Sequence, residues 1–217
     1  MSPHPGLGSP AATEQSQSRL SRRRERRKSE IVNAAIALLA TNGYQGMSLD
    51  DVAERADIAK PTLYHYFASK DELVSAALEA LTTGVLTCLT SVLDATSTAS
   101  HHERLRALMT EQLRLLTDQF PEVGTIFSWQ TSWPAMHDEA RKSMRRRHDA
   151  VFRDVVSAGV NAGELDCENI DAALQCLHGT INHASIWLSH MRDPHQAERS
   201  KTDLLNALMR VFTSSAA

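Results

Sequence analysis

Residues 48 to 72 read Ser-Leu-Asp-Asp-Val-Ala-Glu-Arg-Ala-Asp-Ile-Ala-Lys-Pro-Thr-Leu-Tyr-His-Tyr-Phe-Ala-Ser-Lys-Asp-Glu, which constrains the chain to two short helices joined by a sharp turn. Ser48 is suited to cap the first helix, and Asp50 and Asp51 sit where the helix dipole favours negative charge. Leu49, Val52, Ala53 and Ala56 then fall on one face at helical spacing. Asp57 stands at the turn and tolerates left-handed backbone better than most residues. Pro61 presets the first turn of the second helix, where its missing N–H costs nothing. Ser69-Lys70-Asp71-Glu72 reads as a capping box that opens a third helix. Two helices joined this tightly form the helix-turn-helix unit, whose second helix lies in a DNA major groove.

That second helix, Pro61 to Phe67, is too short to be stable alone, so its display matters more than its length. Leu63 and Phe67 are four apart and turn inward. Thr62, Tyr64, His65 and Tyr66 offer hydroxyl and imidazole groups, with Lys60 and Lys70 at the ends. An amphipathic surface helix would share the apolar pair but has no need of the turn, the proline and the flanking lysines together.

The run Thr62-Leu63-Tyr64-x-Tyr66-Phe67-x-Ser69-Lys70-x-x-Leu73, preceded by Ser48-x-x-Asp51-Val52-Ala53, resembles the DNA-binding domain of TetR-family transcriptional repressors. The specific likeness spans about 28 to 75. An upstream helix from about Arg22 to Thr41, ending at Gly43 before Tyr44, also fits the family. Carried over by position, the resemblance implies that Lys60, Pro61, Thr62 and Tyr64 face base edges or nearby phosphates. His65, Tyr66, Lys70 and the Ser48 hydroxyl would grip the backbone. Asp57 departs from the pattern, since many members carry glycine there.

Composition agrees with an all-α protein: hydrophobic content is 42%, with 9 glycines and 7 prolines in 217 residues. No apolar run is expected to reach the roughly 18 to 20 residues of a membrane helix, and no apolar leader opens the chain. Three unclustered cysteines, Cys88, Cys167 and Cys176, suit neither a disulfide framework nor zinc, which points to a cytoplasmic protein. Charge is unevenly divided. Residues 1–70 hold 10 Lys+Arg and 7 Asp+Glu, a net +3, and residues 71–217 hold 13 and 19, a net −6. Seven of the ten residues from Arg19 to Lys28 are basic. Arg22, Arg23, Arg24, Arg26 and Arg27 are expected to contact phosphates or the minor groove, adding affinity more than discrimination.

Three units follow: a disordered extension over 1–21, a three-helix DNA-binding domain over 22–70, and a helical ligand-binding and dimerisation domain over 71–217. Nine helices are expected in all. Beyond the third they run at about 70–96, 101–118, a shorter segment between Pro121 and Pro134, then 137–161, 168–191 and 196–213. Ile170, Leu174, Leu177, Ile181, Ala184 and Leu188 alternate spacings of four and three, a packing seam that Leu204, Leu208 and Val211 continue. A monomer core would give the same pattern. The need to read two half-sites favours a homodimer interface, as does the family resemblance.

Regulation by a small molecule is implied by the resemblance. Phe127, Trp129, Trp133 and Met136 are the expected pocket wall, completed by Met109, Leu113, Phe152, His178 and Asn182, although rings at helical spacing serve cores more often than ligands. His178 and Asn182 are polar beside an apolar seam and need partners. Arg141, Arg145, Arg146 and Arg147 would suit an anionic effector such as an acyl-CoA, where the plainer reading is a solvated helix face. The expected partners are therefore operator DNA, a hydrophobic or acyl-CoA-like effector and a second copy of the chain, with no cofactor, metal or membrane. Rival readings are a ligand-free helix-turn-helix activator or architectural protein, and an all-helical enzyme. The enzyme is disfavoured because no Glu-x-x-His, His-Glu-x-x-His, Gly-x-Ser-x-Gly, Walker or dinucleotide motif is present.

Overall fold

The computed structural model describes residues 10–126 and 133–213. Among them run nine α-helices and no strand: α1 (Pro10–Gly46), α2 (Leu49–Arg55), α3 (Lys60–Tyr66), α4 (Lys70–Ala95), α5 (His101–Arg114), α6 (Pro121–Ile126), α7 (Asp138–Asn161), α8 (Ile170–Leu188) and α9 (Pro194–Met209).

The first helix starts well before the expected Arg22. Pro10 opens it, where a proline is tolerated, and the helix-forming Ala11, Ala12, Glu14 and Gln15 carry it forward, so helix occupies the second half of the stretch expected to lack structure. Its expected stop survives as a break: Gly43 has φ 66° and ψ 177°, a conformation other residues avoid, and the chain beyond it completes one more turn. Ser48 caps α2 reciprocally with Asp51, through two hydrogen bonds of 3.1 Å. Asp57 adopts φ 51° and is the one non-glycine residue in the left-handed region among the described residues. The box at Ser69 is only half formed. Its hydroxyl accepts from the Glu72 N–H, but the Glu72 carboxylate reaches past it to the Ala68 N–H at 2.7 Å.

Two cores organise the molecule. The first gathers Ile31, Leu39, Met47, Val52, Leu63, Phe67, Leu73 and Leu78, and also takes in Ile126 and Met144 from the later helices. The second gathers Leu105, Leu108, Phe152, Val156, Leu174, Leu177, Ile181 and Phe212. Helix α4 belongs to both, with Leu73 through Leu81 in the first and Val85 and Leu89 in the second. The head's core thus extends about three turns past residue 70.

The expectation that no stretch is long and apolar enough to cross a membrane is corrected at α4. Its 26 residues reach a mean hydropathy of 1.5 in their most apolar window, because alanine, leucine, valine and threonine fill the helix and Glu79 is the one charge away from its ends. Here that apolarity serves two cores. Helix α5 ends sooner than expected, in a single π turn over Leu115–Gln119. The turn is closed by Phe120 N–H donating to Leu115 O, and it lays the Phe120 ring on Gly84, where a Cβ would come within 3.0 Å of Cζ.

The seam assigned to dimerisation is interior. Leu174, Leu177, Ile181 and Ala184 are 0% exposed within one chain, and Leu188 and Leu208 are buried beside them. Ile170 and Leu204 pack on the same core, and of the nine residues only Val211 is exposed. The physical reason is that α8 faces α5, α6 and α7 with this stripe, so no second subunit is needed to cover it.

Candidate functional site: a reading face and an open cavity

The helix-turn-helix presents a polar face because its apolar residues are spent inward: Leu63 is 0% and Phe67 2% exposed. Lys60, Pro61, Thr62, Tyr64 and His65 lie at the surface, as does Ser48, whereas Tyr66 is half-buried against the first core. Lys60 Nζ is 2.7 Å from Asp50 Oδ1, and that hydrogen-bonded carboxylate holds its ammonium above the usual range. Lys70 is drawn over the Tyr44 ring, 4.3 Å from its centroid. The basic run is one flank of α1. At about 100° per residue, Arg22, Arg26, Arg23 and Arg27 share an arc of about 140°, with Arg24 beyond it. Glu30 pairs with Arg27 at 2.9 Å and with Arg26 at 3.7 Å.

A cavity of about 150 Å³ lies among α4, α5, α6, α7 and α8. Leu81, Thr82, Val85 and Leu86 line it from α4, Gln112 from α5, Val123 from α6, Met144, Arg145, His148 and Asp149 from α7, and Gln175, His178, Gly179 and Asn182 from α8. Of the residues expected at a ligand site, His178 and Asn182 are here. Met109, Leu113 and Phe152 are instead sealed in the second core, and Met136 is 65% exposed. Trp133 belongs to a different cluster, donating Nε1–H to Ile126 O at 3.3 Å, and Phe127 and Trp129 lie outside the described residues. Of the arginines, Arg145 reaches the cavity, Arg147 pairs with Glu79 at 2.9 Å, Arg146 lies 3.7 Å from Glu139, and Arg141 stacks over Trp133 at 5.2 Å.

Sequence reasoning passed over Gln112 and His148, yet both leave a trace. Gln112 sits on the apolar face of Leu105, Leu108 and Met109, and His148 stands midway between Met144 and Phe152 at spacings of four. The two meet, His148 Nε2 lying 2.8 Å from Gln112 Oε1. Burial, and then the neighbouring His178, push the His148 pKa down to about 3. Burial likewise lowers His178, and Asp149 opposes the shift. Both rings are therefore neutral in the folded protein, whereas unfolding frees them to take protons below the ordinary value of 6.5. Because the folded values are depressed, this contribution is intact above about pH 6.5 and is lost as pH falls below it. A series of thermal unfolding curves from about pH 7.5 to 5 should show stability falling by on the order of 1 kcal/mol or more. A His148→Gln, His178→Phe double variant should lose distinctly less. Parallel pH profiles would refute this.

The cavity and the reading head share walls. Leu81 and Met144 line the cavity and belong to the head's core, and Val123 packs against that core from α6. A polar joint lies alongside. Tyr44, just past the Gly43 break, donates its hydroxyl to Asp71 Oδ1 at the start of α4, and His137 Nε2 meets the same oxygen at 3.2 Å. That hydrogen bond holds the Asp71 carboxyl below its usual range and pushes the Tyr44 phenol up to about 12.

On the side of α8 turned away from the second core a further stripe alternates spacings of four and three: Ala172, Cys176, Gly179, His183 and Ile186, all exposed, with Gly179 also at the edge of the cavity and Ile186 at 43%. Ala207 of α9 and Val211, in the turn just past its end, are exposed as well.

An all-helical chain with a helix-turn-helix head keyed to a cavity domain is a transcriptional regulator by class. The comparisons make the class specific. Residues 31–77 match the model for bacterial regulatory proteins of the tetR family, and residues 98–191 match the tetracyclin repressor-like C-terminal domain. The chain is 32% identical over 170 residues to the transcriptional activator FasR of Mycolicibacterium smegmatis, covering 78% of this chain and 75% of that one. It is 29% identical over 142 residues to the transcriptional repressor KstR2 of Mycobacterium tuberculosis, covering 63% and 68%. Its fold matches the crystal structure of AibR in complex with isovaleryl coenzyme A and operator DNA, with a TM-score of 0.69 at 20% identity over 84% of this chain and 98% of that one. The chain belongs to the TetR family of transcriptional regulators.

Proposed function

We propose that the protein represses transcription by occupying a near-palindromic operator as a homodimer, and that a small molecule in the α4–α8 cavity releases it. The observation that carries this reading is the shared wall: Leu81 and Met144 touch both the cavity and the core on which the reading head is built. A ligand that reshapes this wall alters the head's seating without touching DNA, which gives the differential affinity for two conformers that any allosteric release requires. Thr62, Tyr64, Lys60 and Pro61 read bases or adjacent phosphates, while Ser48, His65, Tyr66, Lys70 and the arginines of α1 hold the backbone. Subunits pair through the exposed α8 stripe and the α9 surface beside it.

A cavity of about 150 Å³ is below the roughly 300–1,000 Å³ of drug-sized sites and matches a single ring or a short branched chain. The acyl end of a coenzyme A thioester has that size, and the AibR complex is a precedent for such a ligand on this fold. Activation is the second reading, favoured by the likeness to FasR.

Fluorescence anisotropy on DNA from upstream of the protein's own gene, against scrambled DNA across a salt series, tests the proposal. Binding to the operator should be on the order of 10³-fold tighter than to scrambled DNA. Tyr64→Ala should give up about 1–3 kcal/mol of that discrimination while leaving scrambled-DNA binding unchanged. Equal preference in variant and wild type would remove Tyr64 from base reading, and no binding at low salt would defeat the proposal as a whole. In a transcription assay, loss of the protein raises the output of a repressed promoter and lowers that of an activated one.

A further inference from the structure

Asp71 is a point where polar contacts tie the reading head to the helical body. It stands in the first turn of α4, and only residues 67–69 separate that helix from the reading helix α3. Its Oδ1 accepts from two directions. One donor is the Tyr44 hydroxyl near the end of α1, and the other is His137 Nε2, at 3.2 Å, from the short turn that precedes α7. To meet a carboxylate favourably, Nε2 must carry the imidazole proton. His137 is 2% exposed, and its ring is held edge-on by Trp133 at 6.1 Å, which is itself bonded to Ile126 O of α6. Tyr44 also works through its ring, which carries the Lys70 ammonium at 4.3 Å and packs against His137 at 5.4 Å.

The break in α1 aims Tyr44 at this point. A Cβ added to Gly43 would meet nothing within 4 Å, so the left-handed backbone, and not crowding, calls for glycine there. Apolar packing, such as that of Ile126 and Met144 on the head's core, brings head and body together but has no direction of its own. A small rotation costs it little. Hydrogen bonds to an ionised carboxylate are directional and roughly twice as strong as neutral ones. An oxygen bonded from both α1 and the start of α7 therefore fixes the first turn of α4, and α3 is carried with it.

We propose that Tyr44 and His137 are positioning residues for DNA reading: by clamping Asp71 they fix the angle of the head on the body, and with it the half-site spacing that two paired heads accept. The proposal rests on the reading of the protein as a dimer on a two-fold operator and adds what sets the distance between its heads. Neither residue touches DNA in this role. Each base pair inserted between half-sites moves them apart by about 3.4 Å and turns them by about 35°. Heads held rigidly lose register with such a site, whereas heads held loosely follow it.

Anisotropy of the full-length protein on its operator, on that operator with two base pairs inserted at the centre, and on a single half-site tests this. Wild type should bind the spaced operator on the order of 10²-fold more weakly than the natural one, as the advantage of linked heads is lost. Tyr44→Phe keeps the ring beneath Lys70 and removes only the hydroxyl. Its half-site affinity should stay within about twofold of wild type, while the spacing penalty falls to about tenfold or less. His137→Phe, which keeps a ring against Trp133, should lower the penalty in the same direction. Asp71→Asn, whose amide oxygen still accepts, should keep more of it than Asp71→Ala. A contact that serves stability alone would lower the melting temperature and weaken all three DNAs by the same factor, and that result overturns the proposal. A spacing penalty in Tyr44→Phe equal to that of wild type overturns it too, whatever the melting temperature does. If wild type itself binds both spacings equally, two linked heads are not what reads the DNA, and the dimer reading falls together with the clamp.

Discussion

Replacing Ile181 with alanine should cost about 2–5 kcal/mol of folding stability, and the loss should be the same at every protein concentration. The side chain is 0% exposed in the second core, flanked along α8 by Leu174, Leu177 and Ala184, which are equally buried. Truncating it removes transfer free energy and leaves a void among residues of α5, α6 and α7 that are fixed by their own packing. In a chain of this length each kcal/mol moves the melting temperature by about 2–4 °C, so a fall on the order of 10 °C is expected. Concentration is the discriminating variable. Had the seam been an interface, the variant would recover stability as subunits are concentrated, by mass action. A cost that disappears at high concentration would place Ile181 between subunits and contradict the single-chain core.

That distinction shows where the sequence could and could not be read. The helix-turn-helix was legible because its signals are local. Ser48 answers to Asp51 three residues on, Asp57 needs no partner to accept a left-handed turn, and Pro61 acts through its own ring. Helix boundaries from α4 to α9 followed similarly short-range rules. Side-chain destinations did not. On α8 two stripes with the same alternation of four and three run along opposite sides of the helix, offset by two residues and so by about 200°. The eye takes the one rich in leucine and isoleucine, although greasiness of that kind marks what one chain buries for itself. The stripe of Ala172, Cys176, Gly179, His183 and Ile186 is weaker as a pattern and is the one left uncovered.

The cavity failed to announce itself for a related reason. Trp133 and Met136 attracted attention as large groups near prolines, but the sequence does not say whether a ring meets a ligand or another ring, and Trp133 lies 6.2 Å from Tyr44. Gln112 and His148 are 36 residues apart and become a pair only once α5 and α7 pack. Each alone is a polar residue interrupting an apolar helix face. Such interruptions, more than aromatic clusters, were the readable trace of the site, because a buried polar group has to be matched by something.

Placing an aspartate at Ile186 should leave the fold intact and lower operator affinity by about 10²–10⁴-fold, the share of binding that comes from linking two reading heads. At 43% exposure the side chain is outside the single-chain core, so the substitution opens no void within one subunit. Its expected effect lies across the proposed two-fold axis. An isologous interface brings each surface patch against its own copy, so a charge added to the α8 stripe is set against an identical charge in the partner. It must also be stripped of water, with no partner group provided for it. Sedimentation should show monomers at concentrations where the wild type is dimeric, with an unchanged melting profile for the isolated chain. A second probe is built in. Cys176 is exposed on the same stripe, ten residues earlier, so its alkylation should be slow in the wild-type dimer and fast in Ile186→Asp. If the variant stays dimeric with full operator affinity and a protected thiol, the subunits join elsewhere, and the small-residue stripe of α8 has some other occupant. If it is monomeric yet binds the operator undiminished, one head suffices, and the palindromic reading of the DNA site fails with it.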